Sequence, residues 1–468
     1  MRMLRTLVAL AALLTAVSRG VLFTRDDDQI THFQIQHPPD GDVVALPLRF
    51  RFNMVVRSPD AFKAQYGARL LCLELVGVTT KCSSLMGARI RFKELPEGKH
   101  VARAYILGGD HHTRYHETEP RSFSILSAAD FEAHVEQLSE QTRKTQGFPP
   151  DLDILQWAEL QAKERSTSPK SAADTANGSA KPTDVMLIIG VKSAVVGNFA
   201  RRQAIRGTWA SEAAMPSNVK VFFAGCTPSL DNIVNERDPQ HLQAAVNLER
   251  AVYGDLLTQE LKCEDSRLLL AEKVSAFCEW VVAELPQTKF VLLTDDDVYV
   301  RVLDLVRDLL TSVQRGKLYL GELMNEMHPL ALTPVRIPSD AYYTSKQSYP
   351  LKQFVPYAAG PHILLSMDCV QFIAKNRRRL ASLDGHDDTS IALWLLSIQV
   401  HVQSTAVLTG IRFLPCKDSA LSMADLSPLG IRSIHHNLLH NRTVCHGFSL
   451  PLWEWRPSGG QTSSSVIA

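Results

Sequence analysis

One short stretch limits the possible folds of this chain more than any other: residues 289–300, which read KFVLLTDDDVYV. The apolar run from Phe290 to Leu293 predicts a buried β-strand, and three consecutive aspartates end it before apolar residues resume. A buried carboxylate needs a compensating charge, because it loses its hydration. The stretch therefore predicts a strand whose carboxyl end offers negative charge to a partner.

The spacing of these aspartates predicts what that partner is. Residues two apart in an extended segment point the same way, so Asp295 and Asp297 can face one cation while Asp296 faces another neighbour. Carboxylate oxygens suit Mn²⁺ or Mg²⁺, above all where a diphosphate supplies further oxygens. A solvated loop or a helix cap is the structural alternative. An EF-hand is excluded, because Val300 and Val306 stand where that loop requires glycine and glutamate.

The second half of the chain alternates predicted strands with predicted helices, which indicates an α/β fold with a mainly parallel sheet covered on both faces. The strands are predicted at 185–191, 219–224 and 289–294, and the helices at 198–209, 268–284 and 302–310. Ligands bind such sheets beyond the carboxyl ends of the strands. The three aspartates occupy such an end.

The first part of the chain has the pattern of a separate domain. Apolar residues alternate with polar ones at Leu48, Phe50, Phe52 and Met54, which predicts a small all-β, immunoglobulin-like sandwich over residues 28–127. The remaining boundaries are a helical stem and flexible linker at 128–182, the α/β domain at 183–457 and a disordered tail at 458–468.

The N-terminus predicts the compartment. Arg2 and Arg5 precede an apolar run from Leu7 to Leu14, the pattern of a signal peptide or short membrane anchor over residues 1–23. A membrane-spanning helix needs about 20 apolar residues, so the short run favours a cleaved signal. Asn177 and Asn441 begin glycosylation acceptor patterns, which this route would expose to modification.

Composition and cysteine content agree with this route. The chain has 468 residues and a formal net charge of +1, so no extended basic surface is available for nucleic acid. The eight cysteines can form disulfides in an oxidising compartment. Cys72 and Cys82 could close a local loop, and the pairing of the other six stays open.

Several stretches of the second half, taken in order, resemble the β-1,3-galactosyltransferase family, which is related to the β-1,3-N-acetylglucosaminyltransferases and Fringe. They are residues 201–209 (RRQAIRGTW), 222–225 (FFAG), 253–255 (YGD) with Lys273 downstream, the aspartate strand, 355–360 (VPYAAG) and Asp387-Asp388. The resemblance implies a GT-A (Rossmann-like) fold, a UDP-sugar donor, a divalent metal and inversion at the anomeric carbon.

The resemblance also implies residue roles in the donor site. Arg202 and Arg206 are four apart, so on a helix they share one face and could present two cations to the nucleotide; a solvated basic face is the alternative. The other expected donor contacts are Lys273, Asp295 and Asp296. The expected metal ligands are Asp297, Asp295 and His436, which its spacing to Cys445 favours over His435.

Inverting transfer needs one base to take the proton of the acceptor hydroxyl. Asp388 is the candidate, although Asp387-Asp388-Thr389 departs from the family's Glu-Asp-Val motif at its first and third positions. A capping residue at the start of a helix is the structural alternative. Tyr357, Gly360 and Asp387 are expected to border the pocket shared by donor and acceptor.

We therefore expect a hexosyltransferase that moves galactose from a UDP-sugar to a glycan or glycoprotein hydroxyl in β-1,3 linkage, with N-acetylhexosamine as the second choice of sugar. The expected location is the Golgi or the secretory-pathway lumen, as a single-pass type II membrane protein, or outside the cell if the signal is cleaved. A catalytically silent glycan-binding relative, with the sandwich as its working module, is the alternative.

Overall fold

The computed structural model describes residues 29–85, 90–167, 185–228, 239–314, 316–325, 332–338, 340, 342–411 and 416–454. The chain divides into two compact units, Met1–Glu136 and Gln137–Ala468. The predicted signal or anchor, most of the linker, the tail and the Asn177 acceptor pattern lie outside the described residues. Among the described helices, none is both long and apolar enough to cross a membrane.

The first unit is built from two β-sheets. Its strands are β1 (Ile30–His37), β2 (Asp42–Ala45), β3 (Leu48–Val56), β4 (Leu70–Leu75), β5 (Thr79–Ser84), β6 (Ile90–Phe92), β7 (Gly98–Leu107), β8 (Arg114–Tyr115) and β9 (Arg121–Leu126), with helix α1 at Pro59–Tyr66. One sheet has the order β1-β3-β6, and the other has the order β2-β9-β7-β4-β5 with β8 beside β7. A disulfide joins Cys72 to Cys82 across β4 and β5.

The two sheets of this unit share one core. Phe50 of β3 and Leu71 of β4 are each 1% exposed and belong to the same hydrophobic cluster. The alternation of apolar and polar residues predicted this, because successive side chains of a strand point to opposite faces. The predicted all-β character holds for these residues, and the immunoglobulin-like topology stays a prediction.

The second unit contains more strands and helices than the first. Its strands are β10 (Leu187–Lys192), β11 (Val219–Ala224), β12 (Thr227–Pro228), β13 (Leu256–Leu257), β14 (Glu264–Asp265), β15 (Phe290–Asp295), β16 (Tyr299–Val300), β17 (Tyr319–Met324), β18 (Tyr357–Ser366), β19 (Gln403–Ser404), β20 (Leu408–Gly410) and β21 (Ser422–Ala424). Helix α2 (Ala128–Gln146) leads into it, followed by α3 (Ile154–Thr167), α4 (Phe199–Arg206), α5 (Pro239–Tyr253), α6 (Leu270–Glu284), α7 (Val302–Asp304, continuing as a wider π-type helix at Leu305–Leu310), α8 (Met367–Asn376), α9 (Asp387–Leu396), α10 (Pro428–Leu439) and α11 (Leu450–Trp453).

The central sheet has the strand order β13-β11-β10-β15-β18-β17-β19. Strands β13, β11, β10 and β15 run parallel, whereas β18 is antiparallel to both of its neighbours. Strands β17 and β19 run parallel to each other, so only β18 among these seven strands runs opposite to the rest, and the prediction of a mainly parallel sheet is confirmed. An apolar strand buried on both faces has the same composition in either direction, so the pattern does not reveal its direction.

Both faces of the central sheet are covered, as predicted. Leu187 and Ile189 of β10 face one hydrophobic cluster and Ile188 faces the other. Gly190 lets α6 approach closely, because an added Cβ there would lie 2.2 Å from the ring of Phe277. The chain thus forms an α/β unit with a core on each side of the sheet.

Helix α3 of the predicted stem is part of this unit. Trp157 of α3 is 7% exposed and belongs to the same core cluster as Leu187. Its ring centroid lies 5.1 Å from that of Phe199 and 5.8 Å from that of Tyr253. A helix with such contacts packs against the α/β core, and the second unit begins at residue 137, earlier in the chain than the predicted domain start at 183.

Candidate active site

The carboxyl end of β10 meets the first aspartate of the predicted site. Lys192 is the register partner of Asp295 in the parallel pair of β10 and β15. Its Nζ lies 2.9 Å from Asp295 Oδ1 and 2.5 Å from Asp387 Oδ2, and it donates to the carbonyl oxygen of Gly360 at 3.0 Å. Lys192 therefore uses its three donors to join β15, β18 and the start of α9. Sequence reasoning missed this residue, and its only signal was a lysine at the end of a buried strand.

Asp296 has different partners from Asp295, and the expectation that Asp295 and Asp297 face one cation stays a prediction. Asp296 is buried and accepts hydrogen bonds from Arg201 Nη1 at 2.5 Å and from Asn198 Nδ2 at 2.8 Å. Its carboxylate thus joins the start of α4 to the end of β15. The structure gives Asp296 protein partners in place of the expected direct contact with the donor.

Asp297 lies among several other carboxylates. Burial raises its pKa well above the ordinary value, and the charges of Asp295, Asp425 and Asp296 raise it further against the lowering effect of Arg201. Arg201 Nη1 lies 3.8 Å from Asp297 Oδ2, too far for a hydrogen bond. Carboxylates held together with too little positive charge fit a divalent cation, which Mg²⁺-type sites bind with one or two carboxylates and substrate phosphates.

His436 does not join these aspartates. Its ring centroid lies 4.0 Å from that of His440 and 5.9 Å from that of Phe148. His435 is the histidine that faces the strand after the aspartates, with Nδ1 3.0 Å from the hydroxyl of Tyr299. Within the described ranges, no group of three or more His, Cys, Asp or Glu residues is placed to hold a metal ion. The expected ligand His436 is therefore corrected, because spacing along the chain did not show which face of α10 points inward.

The structure also corrects the expected role of Arg202. Its side chain is fully buried, and it donates to both carboxylate oxygens of Glu249, at 2.8 Å and 2.7 Å. Its other donors bond to Ser193 Oγ and to the carbonyl oxygens of Ala194 and Val195. All of its donors serve the protein, so Arg202 holds the loop after β10 in place and does not present a cation to a nucleotide.

Arg206 and Lys273 belong to the same buried network. Arg206 bonds to both oxygens of Asp255, at 2.8 Å and 2.6 Å, and to Glu249 at 2.8 Å. Lys273 Nζ bonds to Asp265 Oδ1 at 2.7 Å and to the carbonyl oxygen of Ser193 at 3.0 Å. Both residues therefore position the carboxyl edge of β10 and β11, although sequence reasoning expected them to contact the donor.

Asp388, the candidate base, lies in the first turn of α9. Its Oδ1 accepts a hydrogen bond from the backbone N–H of Thr389 at 2.6 Å. Desolvation raises the pKa of Asp388 to about 7, and the adjacent charge of Asp387 contributes to the rise. A carboxylate with a pKa near the ambient pH suits general-base catalysis. Lys192 pairs with Asp387, so the two neighbouring acids have different environments.

The residues expected around the pocket lie close to this base. A Cβ added to Gly360 would lie 3.7 Å from Asp388 Oδ2 and 3.8 Å from Asp387 Oδ1. Burial raises the pKa of Tyr357, and the charge of Asp388 acts in the same direction. The structure thus brings Tyr357, Gly360, Asp387 and Asp388 together, as the sequence predicted.

Two histidines that are close in the chain to the site residues have hydrogen-bond partners within the protein. His362 is 1% exposed, and its ring nitrogens lie 2.8 Å from the carbonyl oxygen of Thr409 and 2.9 Å from Ser422 Oγ. Burial lowers the pKa of His362 to about 4, so its imidazole is neutral. His386, next to Asp387, has Nε2 3.0 Å from Thr344 Oγ1. Sequence reasoning noted His362 only as a departure from the family motif.

The sheet and the cluster of acids at its edge lie in the part of the chain that is similar to a known protein family. Residues 200–406 match the Galactosyltransferase family model. The match begins in α4 and includes the aspartates after β15, Gly360 and Asp388. Over these residues the chain is therefore similar to the galactosyltransferase family.

Three related proteins have names that describe the transfer of a sugar in 1,3 linkage. The chain is 29% identical over 229 residues to the beta-1,3-galactosyltransferase GALT1 of Arabidopsis thaliana, covering 47% of this chain and 32% of the relative. It is 27% identical over 233 residues to the human lactosylceramide 1,3-N-acetyl-beta-D-glucosaminyltransferase (48% and 58%). It is 31% identical over 183 residues to the human acetylgalactosaminyl-O-glycosyl-glycoprotein beta-1,3-N-acetylglucosaminyltransferase (39% and 45%).

The chain spans between a third and three fifths of the lengths of these relatives. Among solved structures, the WbbM bifunctional glycosyltransferase overlaps 55% of this chain and 47% of its own, with 11% identity and a TM-score of 0.28. A similarity this weak does not show a shared fold. The fold of this chain is defined by the strand order and register given above.

Proposed function

We propose that this chain is an inverting hexosyltransferase with a GT-A fold that moves galactose from a UDP-sugar to an acceptor hydroxyl of a glycan or glycoprotein in β-1,3 linkage. The observation that carries the proposal is Asp388, whose pKa is raised to about 7 at the end of the sheet where three further aspartates gather. The galactosyltransferase family match supports the class of donor and acceptor.

The reaction needs few groups from the protein. The acceptor oxygen attacks the anomeric carbon of the donor sugar, its proton passes to an oxygen of Asp388, and the bond from that carbon to the phosphate oxygen breaks. UDP leaves with the electron pair on the opposite face, which inverts the anomeric centre. General-base catalysis of this kind contributes typically about 10²- to 10⁴-fold to the rate. Lys192 holds Asp387 in place beside this base.

A divalent cation fits the acids at the end of β15. Asp297 and Asp295 would hold Mn²⁺ or Mg²⁺, and the excess negative charge around Asp297 supports that assignment. Such a cation would neutralise the charge on the departing diphosphate. Because Asp296, Arg202, Arg206 and Lys273 are engaged within the protein, their part in the reaction is to fix the edge of the sheet.

Transfer of N-acetylhexosamine is the second candidate within the same family, because two of the relatives are named for N-acetylglucosaminyl transfer. A silent glycan-binding protein is the alternative from another class. The raised pKa of Asp388 argues for an enzyme, since a binding surface has no use for a poised base.

We further propose that the chain works in the Golgi or secretory-pathway lumen, anchored by residues 1–23 as a type II membrane protein or secreted after cleavage. Three disulfides support an oxidising compartment: Cys72–Cys82, Cys226–Cys263 and Cys416–Cys445. Asn441 is exposed at the turn after α10, where it is open to glycosylation.

The test is transfer from a panel of UDP-sugars to methyl β-galactoside and methyl β-xyloside, with Mn²⁺ and with a chelator. We expect metal-dependent turnover with UDP-galactose and a loss of about 10²-fold or more in kcat for Asp388→Asn. Asp384→Asn, an exposed acid four residues earlier, is the matched control and should keep full activity. Glycan affinity without turnover of any donor would favour the binding protein.

A further inference from the structure

A cavity of about 450 Å³ opens beside the candidate active site. Its walls come from β17, from the residues just before β18, from α9 and from the segment that leads into β19. Cavities of this size are typical of small-molecule sites. None of the residue roles assigned above uses it.

The position of the cavity along α9 relates it to Asp388. Ala392 and Leu396 line the cavity, and they follow Asp388 by four and eight residues. Residues four apart lie on the same face of a helix, and each residue rises 1.5 Å, so these two positions lie about 6 and 12 Å from the base along the axis. One sugar ring spans roughly the first of these distances. The cavity therefore begins where a group attached to an acceptor sugar at Asp388 would arrive.

The opposite wall also leads to the base. Pro356 lines the cavity, and the next residue is Tyr357, whose phenol is close enough to Asp388 to respond to its charge. Tyr319 lines the cavity as well and responds to the same carboxylate. Each wall thus contains a residue close to the candidate active site, either in the chain or through the charge of Asp388.

The side chains that line the cavity indicate which kind of chemical group it can bind. The polar side chains of the wall are those of Tyr319, Asn325 and His401. The rest of the wall is aliphatic or proline side chain: Leu323, Val355, Pro356, Ala392, Leu396, Val400 and Val402. The hydroxyl of Tyr319 is already engaged, since it accepts a hydrogen bond from the backbone N–H of Ala358 at 2.8 Å. A further sugar would lose water there without enough hydrogen-bond partners, whereas a hydrocarbon group would gain from burial.

We propose that this cavity is the aglycone subsite, which binds an alkyl or aryl group attached to the acceptor sugar while the sugar itself lies at Asp388. The proposal rests on the hexosyltransferase function proposed above. It deepens that function by adding the part of the acceptor that follows the sugar, and it assigns recognition of this part to α9 and to the residues before β18.

The test compares octyl β-galactoside, below its micelle-forming concentration, with methyl β-galactoside as acceptors. Each buried methylene is worth about 0.8 kcal/mol, so we expect the octyl compound to have a KM at least tenfold lower. Leu396→Glu places a charge at the rim, where this leucine is 41% exposed and the change is compatible with folding. The ratio of the two KM values should fall to about one in this variant and in Val402→Asp. Leu439→Glu, at a leucine that is 68% exposed on α10, is the matched control and should keep the ratio.

Calorimetric titration of octyl β-galactoside without donor separates this proposal from the proposed function. If no acceptor turns over but the octyl compound binds the wild type and not Leu396→Glu, the transferase function fails and the hydrocarbon cavity stands. Equal KM values and equal affinities for the two glycosides would overturn the proposal. A glycopeptide preferred over the octyl compound, with that preference lost in Leu396→Glu, would overturn it in favour of a peptide subsite.

Discussion

Lys192 and Asp387 form a buried ion pair, 2.5 Å from Nζ to Oδ2, between the first strand of the central sheet and the helix that carries the candidate base. Burial alone would lower the pKa of Lys192, but Asp295 and Asp387 raise it, so the ammonium stays charged throughout the physiological range. One buried cation thus holds two acids of the site.

Replacing this cation tests its importance. Lys192→Met leaves Asp387 and Asp295 without their partner, and breaking a buried pair from one side costs about 3–5 kcal/mol. We expect that loss in the free energy of unfolding by denaturant titration, together with loss of turnover. Lys220→Met, at an exposed lysine on β11, should change neither. Adding Asp387→Asn to Lys192→Met should recover part of the stability, and no recovery would argue against the pair.

The raised pKa of Asp388 predicts how activity depends on pH. A base must be ionised to accept a proton, so kcat/KM should rise with pH through about 7 and level off above it. The rate profile of the wild type, measured at saturating metal and between pH 5 and 9, checks this. An acidic limb near the ordinary value of 3.8 would contradict the assignment.

The same shift has a consequence for stability. Because the folded-state pKa of Asp388 lies above its unfolded value, the folded protein binds the proton more tightly, and stability falls as pH rises from about 4 to about 7. Asp388→Asn removes this cost, so above pH 7 it should be more stable than the wild type by on the order of 2 kcal/mol. Melting curves at pH 5 and pH 8 measure the difference, which should be small at pH 5. A variant less stable at both values would contradict the prediction.

Substitution of Arg202 tests whether this residue holds the protein in place or binds the nucleotide. Arg202→Lys cannot keep the two bonds to Glu249 and those to the loop carbonyls, so we expect a loss of about 2–4 kcal/mol in stability without any ligand present. Arg378→Lys, at an exposed position, is the control. If Arg202 instead contacted the nucleotide, the substitution would weaken UDP binding and leave the melting temperature of the free protein unchanged.

The carboxylates at the end of β15 predict how a metal ion changes the stability of the protein. Asp297→Asn relieves a crowded buried charge, so the metal-free protein should become more stable while the rise in melting temperature caused by Mn²⁺ with UDP is lost. His436→Ala should keep that rise, because its ring contacts Phe148 and His440. Loss of the rise in His436→Ala would restore the histidine as a ligand.

The sequence predicted the local structure around the site well. The strand ending in aspartates is observed as Phe290–Asp295, and the strand predicted at 219–224 is observed at those residues. The different partners of Asp295 and Asp296, which are Lys192 and Arg201, are also observed. These features depend on residues close in the chain, where a period of two or of 3.6 fixes the direction of each side chain.

What only the tertiary structure decided concerns partners far apart in the chain. Helical spacing placed Arg202 and Arg206 on one face of α4, but only the packing of α5 showed that this face meets Glu249 and Asp255. Lys192 and Asp387 are 195 residues apart, and no local pattern pairs them. The sequence by itself determined which strand carries the acids and which helix carries the base. The folded structure decided which charges neutralise one another, because that depends on how strands and helices distant in sequence pack together.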